Sequence, residues 1–384
     1  MKNVQKFLTY VLVAVVSSMV TMCLFGGTGT DEYNKLADME QLIETYFIGD
    51  VDHAAMEDAT ATAMVGALGD KWSHYMSAEV YKAYTEQMQN GYVGVGITIT
   101  PATDQKGFLV TEVNAGGAAE EAGMIVGDVI IAIEGQTAEG MTTTQARDLV
   151  RGKEGTQVKL TINRGGEIME LYATRKMVET PVVEVQLLDD GVGLLTIYNF
   201  DDRCAKESIA AIENLIEQGA SALIFDVRGN PGGYKEELVE LLDYLLPKGV
   251  IFRSEYYTGE VEVEESDEAY LDMPMAVLVD GNTYSAAEFF AAALDEYDAA
   301  IVAGQPTSGK GYFQTTFELN DGSAVSLSIG KYTTPKGVSL AETGVIPEVQ
   351  VDIDEDTTRQ IYAGTMTPEE DPQIQAAVEA LKEK

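Results

Sequence analysis

The chain has 384 residues, with 63 acidic against 25 basic side chains and a net charge of −38, which is length enough for two or three domains with a substantial core. So acidic a protein should stay soluble and excludes nucleic acid and anionic membrane surfaces as partners of its folded part. Two cysteines, Cys23 and Cys204, cannot form a disulfide framework, and no His/Cys cluster or G-x-x-x-x-G-K-[ST] loop is present, so no metal and no cofactor are expected.

Residues 1–30 read as an export segment and tether. Lys2 and Lys6 precede an uncharged, largely apolar run from Phe7 to Phe25, just long enough to cross a bilayer core as a helix. A cleavable signal would be shorter and end in small residues. TMCLF offers none, so a retained single-pass membrane anchor is expected, with Cys23 a buried thiol in it. The N-terminal lysines place the rest of the chain outside the cytoplasm, in an extracellular or periplasmic space.

Residues 31–90 read as helical, with Leu36, Met39, Leu42 and Ile43 at spacings of three and four. A second helix over DHAAMEDATATAMVGALGDKWSHYM breaks at Gly69. The only two histidines, His53 and His74, fall in this region, and His74 and Trp72 read as packing residues.

Residues 91–178 alternate as a compact β-rich module. GYVGVGITIT, GFLVTEV and GDVIIAIEG supply strands, TTTQARDLVRG a helix, and QVKLTINRGGEIMELYATR a hairpin about Arg164-Gly165-Gly166. This order resembles a PDZ domain. The resemblance implies that Gly94, Val95, Gly96 and Ile97 form a loop whose backbone N–H groups receive a peptide carboxylate, while the peptide adds as a strand.

Residues 179–353 change to an α/β pattern. VGLLTIYNF and SALIFDVR read as buried strands, RCAKESIAAIENLIEQG and YKEELVELLDYLL as amphipathic helices, and GNPGG as a loop before a helix N-terminus. MAVLVD is another buried strand. It leads through Ser285 into AAEFFAAALDEY, rich in helix formers. A serine on a strand-to-helix corner exposes its hydroxyl beside backbone donors, as an acyl-transfer nucleophile requires; it is also where a helix N-cap serine sits. Lys310, between Gly309 and Gly311, can act as its base if burial lowers its pKa. Neither histidine lies at a strand end or in a glycine-rich loop, so Ser285–Lys310 is the expected pair. Glu288 reads as an ordinary acid on the helix face. Residues 354–384 form an acidic C-terminal tail ending in a short amphipathic helix, QIQAAVEALKEK.

The ordered set F-D-V-R-G-N-P-G-G, S-A-A-E and G-K-G-Y-F-Q resembles the carboxyl-terminal processing (tail-specific) proteases, which are PDZ-containing serine/lysine peptidases, over roughly residues 40–351. The resemblance implies a multidomain α/β (α+β) protein: a ClpP/crotonase-like protease core, an inserted PDZ domain and an N-terminal helical region. It implies Ser285 as nucleophile and Lys310 as base, with Gln314 orienting the lysine. It assigns the oxyanion to the N–H groups of Ala286 and Gly232, with Gly233 the neighbouring donor. The expected partners are proteins or peptides with free apolar C-termini; a homodimer is left open. Three departures stand out. Glycine occupies 229 where the family often has asparagine, valine occupies 338 where arginine is common, and the turn before the PDZ domain reads L-G-D-K-W-S-H-Y. These departures favour a non-catalytic PDZ scaffold as the competing reading. An α/β-hydrolase esterase is disfavoured by the absence of G-x-S-x-G and of a histidine after Ser285.

Overall fold

The computed structural model describes residues 31–103 and 106–383. The anchor expected at residues 1–30 lies outside the described residues. Among the described residues, no helix is long and apolar enough to cross a membrane. The chain divides into two units, residues 1–64 and 65–384. In the first, α1 (Asp31–Tyr46) and α2 (His53–Gly66) are paired through His53, whose ring nitrogens lie 3.9 and 3.8 Å from Glu40 and Glu44.

In the second unit, β1 (His74–Met76) leads into α3 (Ala78–Met88), capped by the Ser77 hydroxyl accepting the Val80 N–H. The β-rich module follows. Its entry strand β2 (Gly91–Gly94) pairs with its exit strand β9 (Lys176–Glu179). Between them come β3 (Ile97–Pro101), β4 (Phe108–Val113), α4 (Ala118–Glu121), β5 (Val129–Ile133), β6 (Gln136–Thr137), α5 (Thr143–Val150), β7 (Gln157–Arg164) and β8 (Glu167–Thr174). The sheet order is β3-β4-β5-β7-β8, so β3 is an edge strand. Phe108, Val110, Ile130, Leu160 and Ile162 fill its core. Both ends of the module are fastened at one point: Arg203 Nη2 donates to the carbonyls of Asn90 (3.0 Å) and Thr180 (2.9 Å).

The α/β part comprises β10 (Val183–Leu187), β11 (Val192–Ile197), α6 (Cys204–Glu217), β12 (Ala222–Asp226), α7 (Lys235–Leu245), β13 (Gly249–Tyr256), β14 (Val261–Ser266), β15 (Met275–Val279), α8 (Ala286–Glu296), β16 (Ala300–Gly304), β17 (Tyr312–Glu318), β18 (Ala324–Thr333), β19 (Val349–Gln350), α9 (Glu355–Tyr362) and α10 (Pro372–Glu383). One sheet runs β10-β11-β12-β15-β16-β19, parallel except for β10. Strands buried on both faces read as continuous apolar runs, as ALIFD and MAVLV do. One face meets α6, α7 and α8 through Phe225, Val277, Phe289 and Phe290. The other face is covered by α10, whose Ile374, Ala377, Val378 and Leu381 bury against Ile224, Ala276, Leu278 and Ala303. The C-terminal helix is therefore part of the core rather than a free tail. A second, antiparallel sheet joins β1, β18, β13 and β14, with β17 also on β18.

Candidate active site

In open parallel sheets, ligands bind beyond the carboxyl ends of the strands. Three adjacent strands end together here: β12 before the loop 227–234, β15 before Ser285, and β16 before the loop 305–311 that carries Lys310. Ser285 occupies the N-cap position of α8, yet its φ of +52° and ψ of −123° lie far from the extended conformation of a capping serine. A side-chain-bearing residue held there costs about 1–3 kcal/mol and persists only where the surroundings enforce it. Two bonds do so. The Tyr284 N–H donates to Asn230 O at 2.9 Å, and the Ser285 N–H donates to Glu288 Oε2 at 2.9 Å.

Glu288 is the site residue that sequence reasoning missed. Instead of lying on an exposed helix face, it is completely buried. Besides the Ser285 N–H, its carboxylate accepts from Thr307 Oγ1 (2.6 Å), Ser308 Oγ (3.2 Å), the Gly309 N–H (2.7 Å) and the Lys310 N–H (2.9 Å). One carboxylate thus joins the serine corner to the lysine loop. The S-A-A-E spacing was the available signal, since position N3 of a helix is where an acid reaches back to the cap.

Lys310 is mostly buried. Burial pulls its ammonium below the ordinary lysine range, with Glu288 and Asp70 opposing. Its Nζ stands 4.9 Å from the centre of the Trp72 ring, which packs edge-on against Tyr284. Trp72 thus borders the site as well as packing there. Among the described residues no hydrogen bond joins Lys310 Nζ to Ser285 Oγ. Catalytic contacts of this kind are often loose without substrate and tighten on binding. Neither histidine pairs with Ser285: His53 lies on α2 beside Glu40 and Glu44, and His74, which against expectation opens a strand, β1, has an exposed ring bonded to Trp72 O at 3.0 Å.

The remaining expected residues are placed as follows. Ala286 opens α8, and its N–H belongs to the first turn, whose donors have no partner within the helix. Gly232 lies directly against the serine, where an added Cβ would stand 2.8 Å from Ser285 Cβ and 2.9 Å from Ala286 N. Its own N–H, however, donates to Asn230 Oδ1 at 2.8 Å. The bridge between Phe200 and Gly233 uses the Gly232 carbonyl and the Tyr234 N–H, leaving the Gly233 N–H outside it. Gln314 sits at a register shift in β17, where its Nε2 donates to Tyr312 O and Ser328 Oγ, both at 3.1 Å, and not to Lys310.

Two family departures acquire a local meaning. Gly229 has φ +69°, and a Cβ there would lie 2.5 Å from Cε1 of Tyr362, the last residue of α9. The Tyr362 hydroxyl bonds to Asp280, and Asp280 Oδ1 accepts the N–H groups of Gly229 (3.0 Å) and Asn282 (2.9 Å). A tyrosine from the C-terminal segment thus packs on the loop where asparagine would otherwise stand. Val338 is exposed on the turn after β18.

In the β-rich module, a groove of about 260 Å³ lies between β3 and α5, lined by Val95, Gly96, Ile97, Ile99, Val150 and Arg151. Gly94 ends β2 at its margin, and Gly96 takes φ +74°. Since β3 has a free edge, an extended peptide can add there. The Arg151 guanidinium stacks 4.2 Å from the centre of the Tyr92 ring, and its buried Nε has no hydrogen-bond partner. A basic side chain at this groove was also missed from sequence.

A strained serine beside helix N–H donors, with a buried lysine tied to the same corner, defines a serine peptidase of the α/β type joined to a peptide-binding module. The model of peptidase family S41 matches residues 191–351, and a PDZ domain model matches 109–164. The chain is 32% identical over 365 residues to the carboxy-terminal processing protease CtpA of Bacillus subtilis (strain 168), covering 92% of this chain and 78% of that protein. Among solved structures, the photosystem II D1 C-terminal processing protease shares 28% identity over 81% of this chain and 86% of its own, with a TM-score of 0.48. An S41 protease candidate from Bacteroides fragilis NCTC 9343 shares the fold at 19% identity and a TM-score of 0.53, covering 88% and 93%. The chain belongs to peptidase family S41, among the PDZ-containing carboxy-terminal processing serine proteases.

Proposed function

We propose that the chain is an exported endopeptidase that captures free C-termini in its PDZ groove and cuts peptide bonds through a Ser285–Lys310 acyl-enzyme. The observation that carries this reading is the corner at Ser285, whose strained φ of +52° is held by the same carboxylate that holds the lysine loop.

In the neutral form, Lys310 Nζ takes the Ser285 proton as Oγ bonds to the scissile carbonyl carbon. The negative charge on the carbonyl oxygen falls at the N-terminus of α8, where the Ala286 N–H and the helix dipole favour it. The second donor is the Gly233 N–H, or the Gly232 N–H once it leaves Asn230. Collapse of the intermediate expels the amine, which takes the proton back from Lys310, and water repeats the sequence on the ester. Gln314, its nitrogen already engaged, offers its oxygen to orient the lysine. Only unprotonated Lys310 can start the reaction, so kcat/KM should rise with pH through the depressed lysine pKa.

Recognition and cutting then occur at separate places, so residues at the scissile bond should vary while the tail is selected. Amidating a substrate's C-terminus removes the charge, and each charge-assisted bond is worth about 1.5–3 kcal/mol. The expected loss in kcat/KM is roughly tenfold or more. Gly94→Val, whose side chain would meet the Tyr92 ring, and Gly96→Val, strained at positive φ, should mimic it. Both should leave Ser285 reactive towards a small fluorophosphonate. Equal cleavage of acid and amide substrates would remove tail recognition from the reading.

Retention on the membrane through residues 1–30 is the second part of the proposal. Full-length protein should sediment with membranes, and a chain starting at residue 31 should not. A mature N-terminus near Gly26 or Thr30 would make the segment a cleaved signal instead.

A further inference from the structure

Trp72 was expected only to pack, but the turn at 69–73 that carries it reaches both the lysine and the glutamine. Asp70 closes it: Oδ1 accepts the Trp72 N–H at 3.1 Å, and Oδ2 accepts the Ser73 N–H at 3.1 Å and the Ser73 hydroxyl at 2.6 Å. Ser73 is buried, and its Oγ accepts the Ser328 N–H at 2.9 Å. The Ser328 hydroxyl in turn accepts from Gln314 Nε2 at 3.1 Å. An unbroken line of contacts therefore runs from Asp70 through Ser73 and Ser328 to Gln314. From the same turn, Trp72 places its ring under Lys310 Nζ.

A turn of this shape needs a side-chain oxygen to accept an N–H group two or three residues on, which asparagine or serine also supplies. The full negative charge beside a mostly buried lysine is more than turn formation requires. Burial opposes that charge, but hydrogen bonds from Ser73, Ser328 and the N–H groups of Trp72 and Ser73 outweigh it and hold the carboxyl below its usual range. The charge thus persists where it favours the Lys310 ammonium.

We propose that Asp70 is a positioning residue for the catalytic base: it holds the Lys310 ammonium on the Trp72 ring before substrate arrives, and steadies Gln314 through Ser73 and Ser328. The proposal rests on Lys310 being the base. The other charged groups around Lys310 are Glu288, on α8, and Lys71, which lies 4.5 Å from the centre of the Trp72 ring. Glu255 and Lys331, ion-paired at 2.9 Å, and Glu342 border the same cavity of about 940 Å³. Glu288 divides its oxygens among five donors, so Asp70 is the carboxylate whose removal changes the lysine's charge balance without dismantling the serine corner.

Trp72 is the only tryptophan in the chain, so its emission reports on the cation above it. The experiment is a pH titration of tryptophan fluorescence in the full chain, paired with the pH profile of kcat/KM. The wild type should show an emission transition with the same midpoint as the rising limb of activity. Lys310→Met should abolish the transition, and Lys71→Met should keep it. Asp70→Asn keeps one of the turn's two oxygen acceptors but removes the charge that raises the lysine pKa, so midpoint and limb should both move to lower pH. Asp70→Ser gives the same comparison should the asparagine variant fail to fold. A purely structural role would lower the activity plateau and leave the midpoint in place, and that result overturns the proposal. Persistence of the transition in Lys310→Met also overturns it. If Asp70→Asn leaves the midpoint unmoved while Lys310→Met is inactive, the proposal fails and the Ser–Lys mechanism stands. Turnover surviving in Lys310→Met sinks the mechanism itself, and with it any part for Asp70 in catalysis.

Discussion

Ser285→Ala and Lys310→Ala should each cut peptide hydrolysis by on the order of 10³-fold or more, with circular dichroism and thermal unfolding showing a folded protein. The two groups act in one proton transfer, so the double variant should be little worse than either single one. The lysine variant is the more informative. Its Nζ rests on Trp72 rather than on Ser285 Oγ, so its effect tests whether that nitrogen crosses to the serine when substrate binds. Near-full turnover in Lys310→Ala would return His53 and His74 to consideration as the base.

The second large effect is expected at Glu288, which is fully buried. Removing its carboxylate with alanine strands five donors, three from the backbone and two hydroxyls, in a buried place. Unsatisfied buried groups cost about 1–3 kcal/mol each, part of which relaxation recovers, so a loss of roughly 3–5 kcal/mol is expected. Glu288→Gln tests position apart from stability. Its amide nitrogen must face N–H groups that the carboxylate accepted, so it should fold yet lower kcat by roughly tenfold or more with KM little changed. A Glu288→Gln enzyme with wild-type kcat would mean that the serine corner and lysine loop hold themselves.

The comparison of sequence with structure separates two kinds of information. The corner that carries Ser285 and Ala286 was legible because its signal is local: a buried strand, a serine and a helix follow one another within one segment. Gly232, expected as an oxyanion donor, stands beside the serine, but its N–H is taken by the side chain of Asn230, a contact that spacing does not reveal. Glu288 was misjudged because an acid at the third position of a helix looks the same whether water or a folded-back loop meets it. The burial came from Thr307–Lys310 wrapping around it. Trp72 and the Asp70–Ser73 turn meet residues more than two hundred positions away, through a sheet that brings β1 onto β18. The amphipathic face of the last helix was visible in the sequence, whereas its partner, the second face of the parallel sheet, was not.

Positions 229 and 362 pack against each other. The left-handed backbone at 229 already narrows the choice to glycine or asparagine, and a Cβ there would press into the ring of Tyr362. A lineage moving from asparagine to glycine gains room for the tyrosine only after the change. One moving back must first give up the ring, together with its bond to Asp280. A change at either site therefore sits more easily on one background than on the other. The dependence also binds the C-terminal segment to the catalytic loop in inheritance. Exchanging one segment without the other would set the loop beside a brace fitted to a different residue.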